Sequence, residues 1–296
     1  DKKSTRIWRV RHESQSKSRP VNVAGVTTKG LPELLDSEST WISRAAWHQI
    51  AARDAKELGL ELTALAQNET RNVEARILAL WSLEDLGSLT EDIVRVALQD
   101  KDASIAREGA RMSAALDLGA VSLVELLAAF TESEHGAVRR AAIASLAGCN
   151  SQSEAVSRCL LQFLRDPLDG PKVGLRQGND KVFTGKAAEI AFERSLIRIA
   201  LENRSKELSA AMTAEGLQDL PLETQIFATL CQDGEVGAKQ MAGLLRGLER
   251  RPRAEELAFA IPHAELPSVE ELLFHWLDSP ALQEETLRAL LLVKPT

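Results

Sequence analysis

From Leu31 onward, apolar and small side chains return at every third or fourth position, in short runs separated by polar breaks. Ile42, Ala45, Ala46, Gln49 and Ile50 follow the i, i+3, i+4, i+7, i+8 spacing of one helix face, and Val138, Ala141, Ala142, Ser145 and Leu146 repeat it. The pattern predicts helices near 31–36, 41–57, 60–67, 71–86, 90–99, 104–117, 122–131 and 137–147. Further helices are predicted near 153–165, 186–203, 205–214, 222–232, 235–250, 253–260, 268–277 and 281–293. Alanine at the middle of each stripe lets neighbouring helices approach closely. Before this stretch, Arg6–Arg11 alternates as a lone strand would, with Ile7 inward, and residues 12–20 read as polar linker.

Four branched residues, Ile42, Val73, Ile105 and Val138, stand 31, 32 and 33 residues apart. Each is preceded by an acid (Glu38, Glu69, Asp102, Glu134) and followed by an arginine (Arg44, Arg76, Arg107, Arg140). Each run then ends near a glycine: Gly59, Gly87, Gly119 or Gly148. A period in this range with two helices per unit predicts an all-α fold, an α-α superhelix of about seven or eight helix pairs. The acids are expected to accept from free N–H groups at helix starts, and the arginines to reach a neighbouring repeat's acid. The glycines are expected to supply left-handed stops. Capping boxes are expected at Ser88/Glu91, Ser122/Glu125, Ser151/Glu154 and Ser268/Glu271. The division that follows is an N-terminal strand and linker at 1–30, regular repeats at 31–150, and divergent repeats at 151–296 carrying a loop insertion at 166–185.

Val138-Arg139-Arg140-Ala141-Ala142 resembles the second helix of the HEAT repeat, an acid followed by Val-Arg-x-x-Ala. Ile42-Ser43 and Ile105-Ala106 depart from it in lacking the adjacent arginine. A narrower likeness covers residues 6–120. Arg6–Val10, Leu31–Leu35 with Ser37–Trp41, and Ala79–Gly87 resemble the junction in planctomycete-type membrane-bound dehydrogenases, where a β-propeller meets a HEAT array ahead of a cytochrome c module. That likeness implies a segment of a larger protein, periplasmic or exported; without it the expected location is the cytoplasm. It carries over no haem motif and no propeller body, so oxidoreductase chemistry would belong to parts outside this chain.

Composition narrows the function. Hydrophobic residues at 44% and charged residues at 27% are ordinary for a folded chain, and the 4% aromatics leave alanine and leucine to fill the core. Net charge is −7, which argues against a nucleic-acid surface. No apolar run is long enough for membrane insertion. The chain starts at Asp1 with no apolar leader, as a fragment or processed form would. Cys149, Cys159 and Cys231 have no zinc or haem spacing and read as free thiols, with a Cys149–Cys159 bridge as the alternative.

No Ser/His/Asp or Cys/His set has the spacing of a catalytic site, and Gly185-Lys186-Ala187 fails the phosphate-loop pattern. The expectation is a non-catalytic scaffold or protein-binding module with no cofactor, whose partner is another protein or a neighbouring domain. The alternatives are an accessory segment of a quinoprotein or sugar-dehydrogenase-like haem protein, as the resemblance implies, or an enzyme on a HEAT-like scaffold, a DNA-alkylation-repair glycosylase or a bilin lyase. Candidate contact residues lie where the period breaks: Trp41, Trp47 and Trp81 on the first two second helices; Lys172, Arg176 and Lys181 on the glycine-rich insertion; and Arg246, Arg250 and Arg251 beside Pro252.

Overall fold

The computed structural model describes residues 21–116, 119–149, 153–168, 170–174, 181–213, 220–232, 234–248, 250, 252–278 and 283. The strand expected at 6–11 and the linker at 12–20 lie outside them, and of the helix expected at 281–293 only Gln283 lies within. The described residues are almost wholly helical and form two compact units that part between Leu89 and Thr90.

The first unit opens with 3-10 turns at Val23–Gly25 and Thr28–Gly30. Four helices follow: α1 (Leu31–Leu35), α2 (Thr40–Ala52), α3 (Gly59–Gln67) and α4 (Val73–Asp85). Helix α1 packs on α2 and α3 on α4, and the pairs join where α2 meets α4. The core stripe of α2 is Ser43, Ala46 and Ile50, which leaves Ile42 half-buried; it is shifted one residue from the predicted face.

The second unit begins with α5 (Glu91–Leu98), α6 (Ala103–Met112), α7 (Ala120–Leu127), α8 (Gly136–Gly148) and α9 (Glu154–Gln162). After a short hairpin, β1 (Lys172–Gly174) with β2 (Lys181–Phe183), come α10 (Gly185–Glu202), α11 (Ser205–Thr213), α12 (Leu222–Leu230), α13 (Gly234–Arg246), α14 (Ala254–Ala260) and α15 (Pro267–Leu277). The strands are antiparallel, with Val173 opposite Val182. The insertion is therefore a hairpin at its base, not loop throughout.

Contacts alternate along the chain. Helices α6, α8 and α10 pack in series on one side; α7, α9 and α11 do so on the other. Within pairs, α5 packs on α6, α7 on α8 and α9 on α10. Towards the C-terminus α13 is the hub: Met241, Ala242 and Leu245 are buried with Leu272 and Trp276 of α15. Each helix shares its apolar stripe with its pair partner and with neighbouring pairs, the arrangement that a 3.6-residue stripe of small residues permits.

The punctuation differs from expectation. Three of the predicted capping boxes do not form, and Ser151 of the fourth lies outside the described residues. Ser122 and Ser268 lie inside helices, Thr90 in place of Ser88 caps α5, and Ser153 caps α9. Of the repeat acids, Asp102 caps α6, its Oδ1 accepting from the Ser104 N–H at 2.8 Å, whereas Asn72 caps α4 at 3.0 Å in place of Glu69. Of the predicted stops only Gly87 is left-handed, at φ 61°. Gly59 instead starts α3, and the left-handed residue after α2 is Asp54, at φ 47°. A short polar side chain tolerates that region, so the turn forms without glycine.

Of the repeat arginines Arg140 does reach an acid of a neighbouring pair, Glu193 of α10 at 3.5 Å, whereas Arg76 and Arg107 have other partners. Arg76 is buried and donates from Nε to the Ala66 carbonyl at the end of α3, 2.9 Å away. Arg107 pairs with its neighbour Glu108. The buried arginine of unit four is Arg139, which grips Glu193 of α10 with Nη2–Oε1 at 2.8 Å and Nε–Oε2 at 3.1 Å and also donates to the Ser133 carbonyl. Arg204 reaches from the start of α11 to the Leu146, Ala147 and Cys149 carbonyls at the end of α8. Free carbonyls at a helix end need such donors when buried.

Arg139 and Glu193 have side chains only 6% and 2% exposed. Removing one member strands a buried charge, which costs about 3–5 kcal/mol. Glu193→Gln is expected to lower urea-unfolding stability by that order. Arg139→Met with Glu193→Leu together is expected to recover most of the loss, because two apolar groups leave no buried charge without its partner.

Candidate functional site

Trp47 and Trp81 meet across the α2–α4 seam with ring centroids 5.2 Å apart, tilted by 55°. His48 stacks on Trp47, and the indole N–H of Trp47 donates to Asp85 Oδ2 at 2.8 Å. Both indoles are half-buried, so they lock the two helix pairs of the first unit. Trp41 stands apart from this seam and is 64% exposed at the first turn of α2.

The insertion supplies a different site. Its base folds against α10: Gly170 approaches so closely that a Cβ there would stand 2.7 Å from the Ala187 Cβ. Thr184 donates from its N–H to the Pro171 carbonyl at 2.9 Å, and the Lys172 ammonium lies 4.3 Å from the Phe183 ring centroid. Lys181 sits on β2 opposite Gly174, and Arg176 lies outside the described residues.

Between the insertion, α10, α12 and the start of α14 is a solvent-open cleft of about 320 Å³. Its apolar walls are Pro167, Leu168, Phe183, Ala187, Ala191 and Phe227. Arg194, Ser195, Arg198 and Glu255 are its polar lining. Of the wall residues Leu168 is 42% exposed, and α10 also carries exposed Phe192 and Ile199, each one residue on from a lining position, at 55% and 57%.

The charges around the cleft are unequally matched. Arg250 holds Glu223 (Nε–Oε1 2.5 Å, Nη2–Oε2 2.8 Å) and the buried Glu256 (Nη2–Oε1 2.6 Å, Nη1–Oε2 3.0 Å). Arg253 reaches Glu223 at 3.2 Å, and its N–H donates to Glu256 Oε2 at 2.7 Å. Arg198 binds Glu202 at 2.7 Å and lies 3.6 Å from Glu255. Arg194 has no carboxylate within 4 Å among the described residues. Its guanidinium donates to the Arg165 carbonyl at 2.8 Å and lies over Phe227, 4.7 Å from the ring centroid.

The titration behaviour follows from these partners. Burial, with Arg253 nearby, pulls the Arg194 guanidinium below its ordinary value. The hydrogen bonds that Arg198 donates to Glu202, and Arg250 to Glu223 and Glu256, push those two guanidinium groups up. The Arg250 hydrogen bond holds Glu223 below the usual carboxylate value of 4.5.

The basic cluster anticipated around Pro252 is thus internally paired. Arg250 is held by two carboxylates, Arg246 by Glu271, and Arg251 lies outside the described residues. The sequence reading missed Arg194, Arg198 and the aromatic walls. A signal existed: Ala187, Ala191, Arg194 and Arg198 fall at i, i+4, i+7 and i+11 on one predicted helix. Phe183 and Phe227 were not legible, because they arrive from elements distant in sequence.

All three cysteines are free. Burial pushes the Cys159 thiol up to about 11 and the Cys231 thiol up to about 12, which keeps both protonated and unreactive at neutral pH. Among the described residues no group of three or more His, Cys, Asp or Glu has metal-holding geometry, and no helix is long and apolar enough to cross a membrane. No family model matches the chain, and no curated protein matches it either.

Glu223 provides a check on the network. A carboxylate whose folded value is depressed contributes stability that is complete above its unfolded value and is lost as pH falls through the folded one. Glu223→Gln is therefore expected to destabilise the chain at pH 7, with the gap from wild type closing as pH drops below 4.5. Urea midpoints across pH 2–7 measure this; a gap independent of pH would contradict it.

Proposed function

We propose that the chain is a HEAT-like α-α superhelix serving as a non-catalytic protein-binding module, one that presents a docking cleft and spaces neighbouring domains of a larger protein. The observation carrying this reading is the open cleft at the insertion. Its apolar walls include exposed Leu168, and α10, which forms one side of it, also carries exposed Phe192 and Ile199. Contiguous apolar surface with a polar lining is what a protein partner buries. The alternating contacts between successive helix pairs favour a superhelix, because such arrays offer long rigid faces to partners. The likeness of Val138–Ala142 to the HEAT second helix favours the same reading.

Selection from a displayed library of random 12-residue peptides tests it. The full chain is expected to enrich ligands that the Leu168→Asp, Phe192→Asp double variant does not bind. Both positions are exposed, so circular dichroism of the variant is expected to match wild type. Absence of enrichment, or ligands indifferent to the double variant, would overturn the docking role of the cleft.

A further inference from the structure

We infer that the cleft recognises a peptide carboxylate flanked by a bulky apolar side chain, with the carboxylate on Arg194 and the apolar group between Phe183 and Phe227. The inference rests on the docking role proposed above and adds the chemistry of the partner.

Arg198, Arg250 and Arg253 each lie within ion-pair distance of at least one carboxylate. Arg194 belongs to the same group of side chains, yet among the described residues its one hydrogen bond is to a backbone carbonyl and its face rests on an aromatic ring. Half-burial strips water from this guanidinium and Arg253 repels it, while Glu255, Asp166 and Glu223 favour its charge only from beyond ion-pair distance. A partly desolvated cation that lacks a direct ion pair gains from an anion that arrives with its own apolar body, because the pair then forms in a medium of reduced dielectric. A guanidinium has five donors in a fixed fork, and one hydrogen bond to Arg165 leaves others for bidentate contact with a carboxylate.

The surroundings narrow the source of that anion. A lining of Pro167, Leu168, Phe183 and Phe227 in about 320 Å³ accommodates one or two side chains and is short for a long acyl chain. Glu255 also lines the cleft, 3.6 Å from Arg198, and offers an acceptor for a backbone N–H, which a peptide has and a fatty acid lacks. Exposed Phe192 and Ile199 on the same helix, α10, offer further apolar surface to a peptide several residues long.

The library selection is repeated with the full chain and with Arg194→Gln and Arg194→Lys. Enriched ligands are expected to carry Asp or Glu next to Leu, Ile or Phe. The best of these, made synthetically with a fluorescent tag, is expected to bind at least tenfold more weakly to Arg194→Gln by anisotropy. The same loss is expected when its acid is replaced by the amide in wild type, and raised salt is expected to weaken only the acid form. Arg194→Lys is expected to fall between, since it keeps the charge without the fork. Because Arg194→Gln also removes the Phe227 stack, the amide peptide on unaltered protein keeps the test independent of folding. Ligands that need Leu168 and Phe192 but lack an acid, or whose affinity survives the amide change, overturn this inference and leave the docking role standing. Enrichment of nothing overturns both. Binding of laurate to the cleft with no peptide enriched overturns the assignment to a peptide.

Discussion

The structure depends on one constraint: no helix in it can bury its apolar stripe alone. Most α-helices here are shorter than about 14 residues, a length that is marginal for an isolated helix in water. Each is stable because its small and aliphatic face is shared with its pair partner and with neighbouring pairs. Ala46 on α2, Ala142 on α8 and Ala242 on α13 are fully buried at such contacts. Short side chains bring helix axes together, and close approach brings polar groups of one helix end within reach of the next pair. The arginines follow from that. Arg76 and Arg204 serve the carbonyl ends of α3 and α8, and Arg139 ties α8 to α10 through Glu193.

The helix pattern was legible because stripe periodicity is a local property. Each of the fifteen helices predicted from 31 to 277 coincides with an α-helix, and α2, α6 and α7 end four or five residues early, α6 and α7 in 3-10 turns at Ser113–Ala115 and Ala128–Phe130. Register was less legible. The α2 face turned by one residue because Ser43, though polar, satisfies its hydroxyl on the Thr40 carbonyl and so is buried without penalty. Caps were misassigned because several residues near each boundary can accept from a free N–H, and the choice between Ser88 and Thr90 rests on where the preceding turn ends. Arginine partners were illegible from the repeat alone. A guanidinium that is buried seeks whichever acceptor the packing leaves free, and that is a carbonyl as often as a neighbouring acid.

The candidate site was half visible. The glycine-rich insertion stood out as a break in the period, and its base does form one wall of the cleft. The cationic residues singled out on it and around Pro252 were chosen for local charge density. The structure pairs Arg246 and Arg250 internally and places Lys172 against Phe183. The guanidinium at the cleft without a carboxylate within 4 Å among the described residues is Arg194. Arg194 is inconspicuous in sequence because it sits in an ordinary helical run; only the convergence of α10, α12 and α14 makes it a desolvated cation. Net charge counts cannot reveal such a group, since it depends on which acids lie within reach.

The central claim is that stability propagates between nearest-neighbour helix pairs. Ala142→Leu overpacks the fully buried face of α8. Native-state hydrogen exchange resolved by segment tests how far the damage travels. Protection is expected to fall in α6, α8 and α10, which share that face, and to stay near wild type in α13 and α15. A uniform loss across α5 to α15 would contradict the account and mark the second unit as one indivisible core.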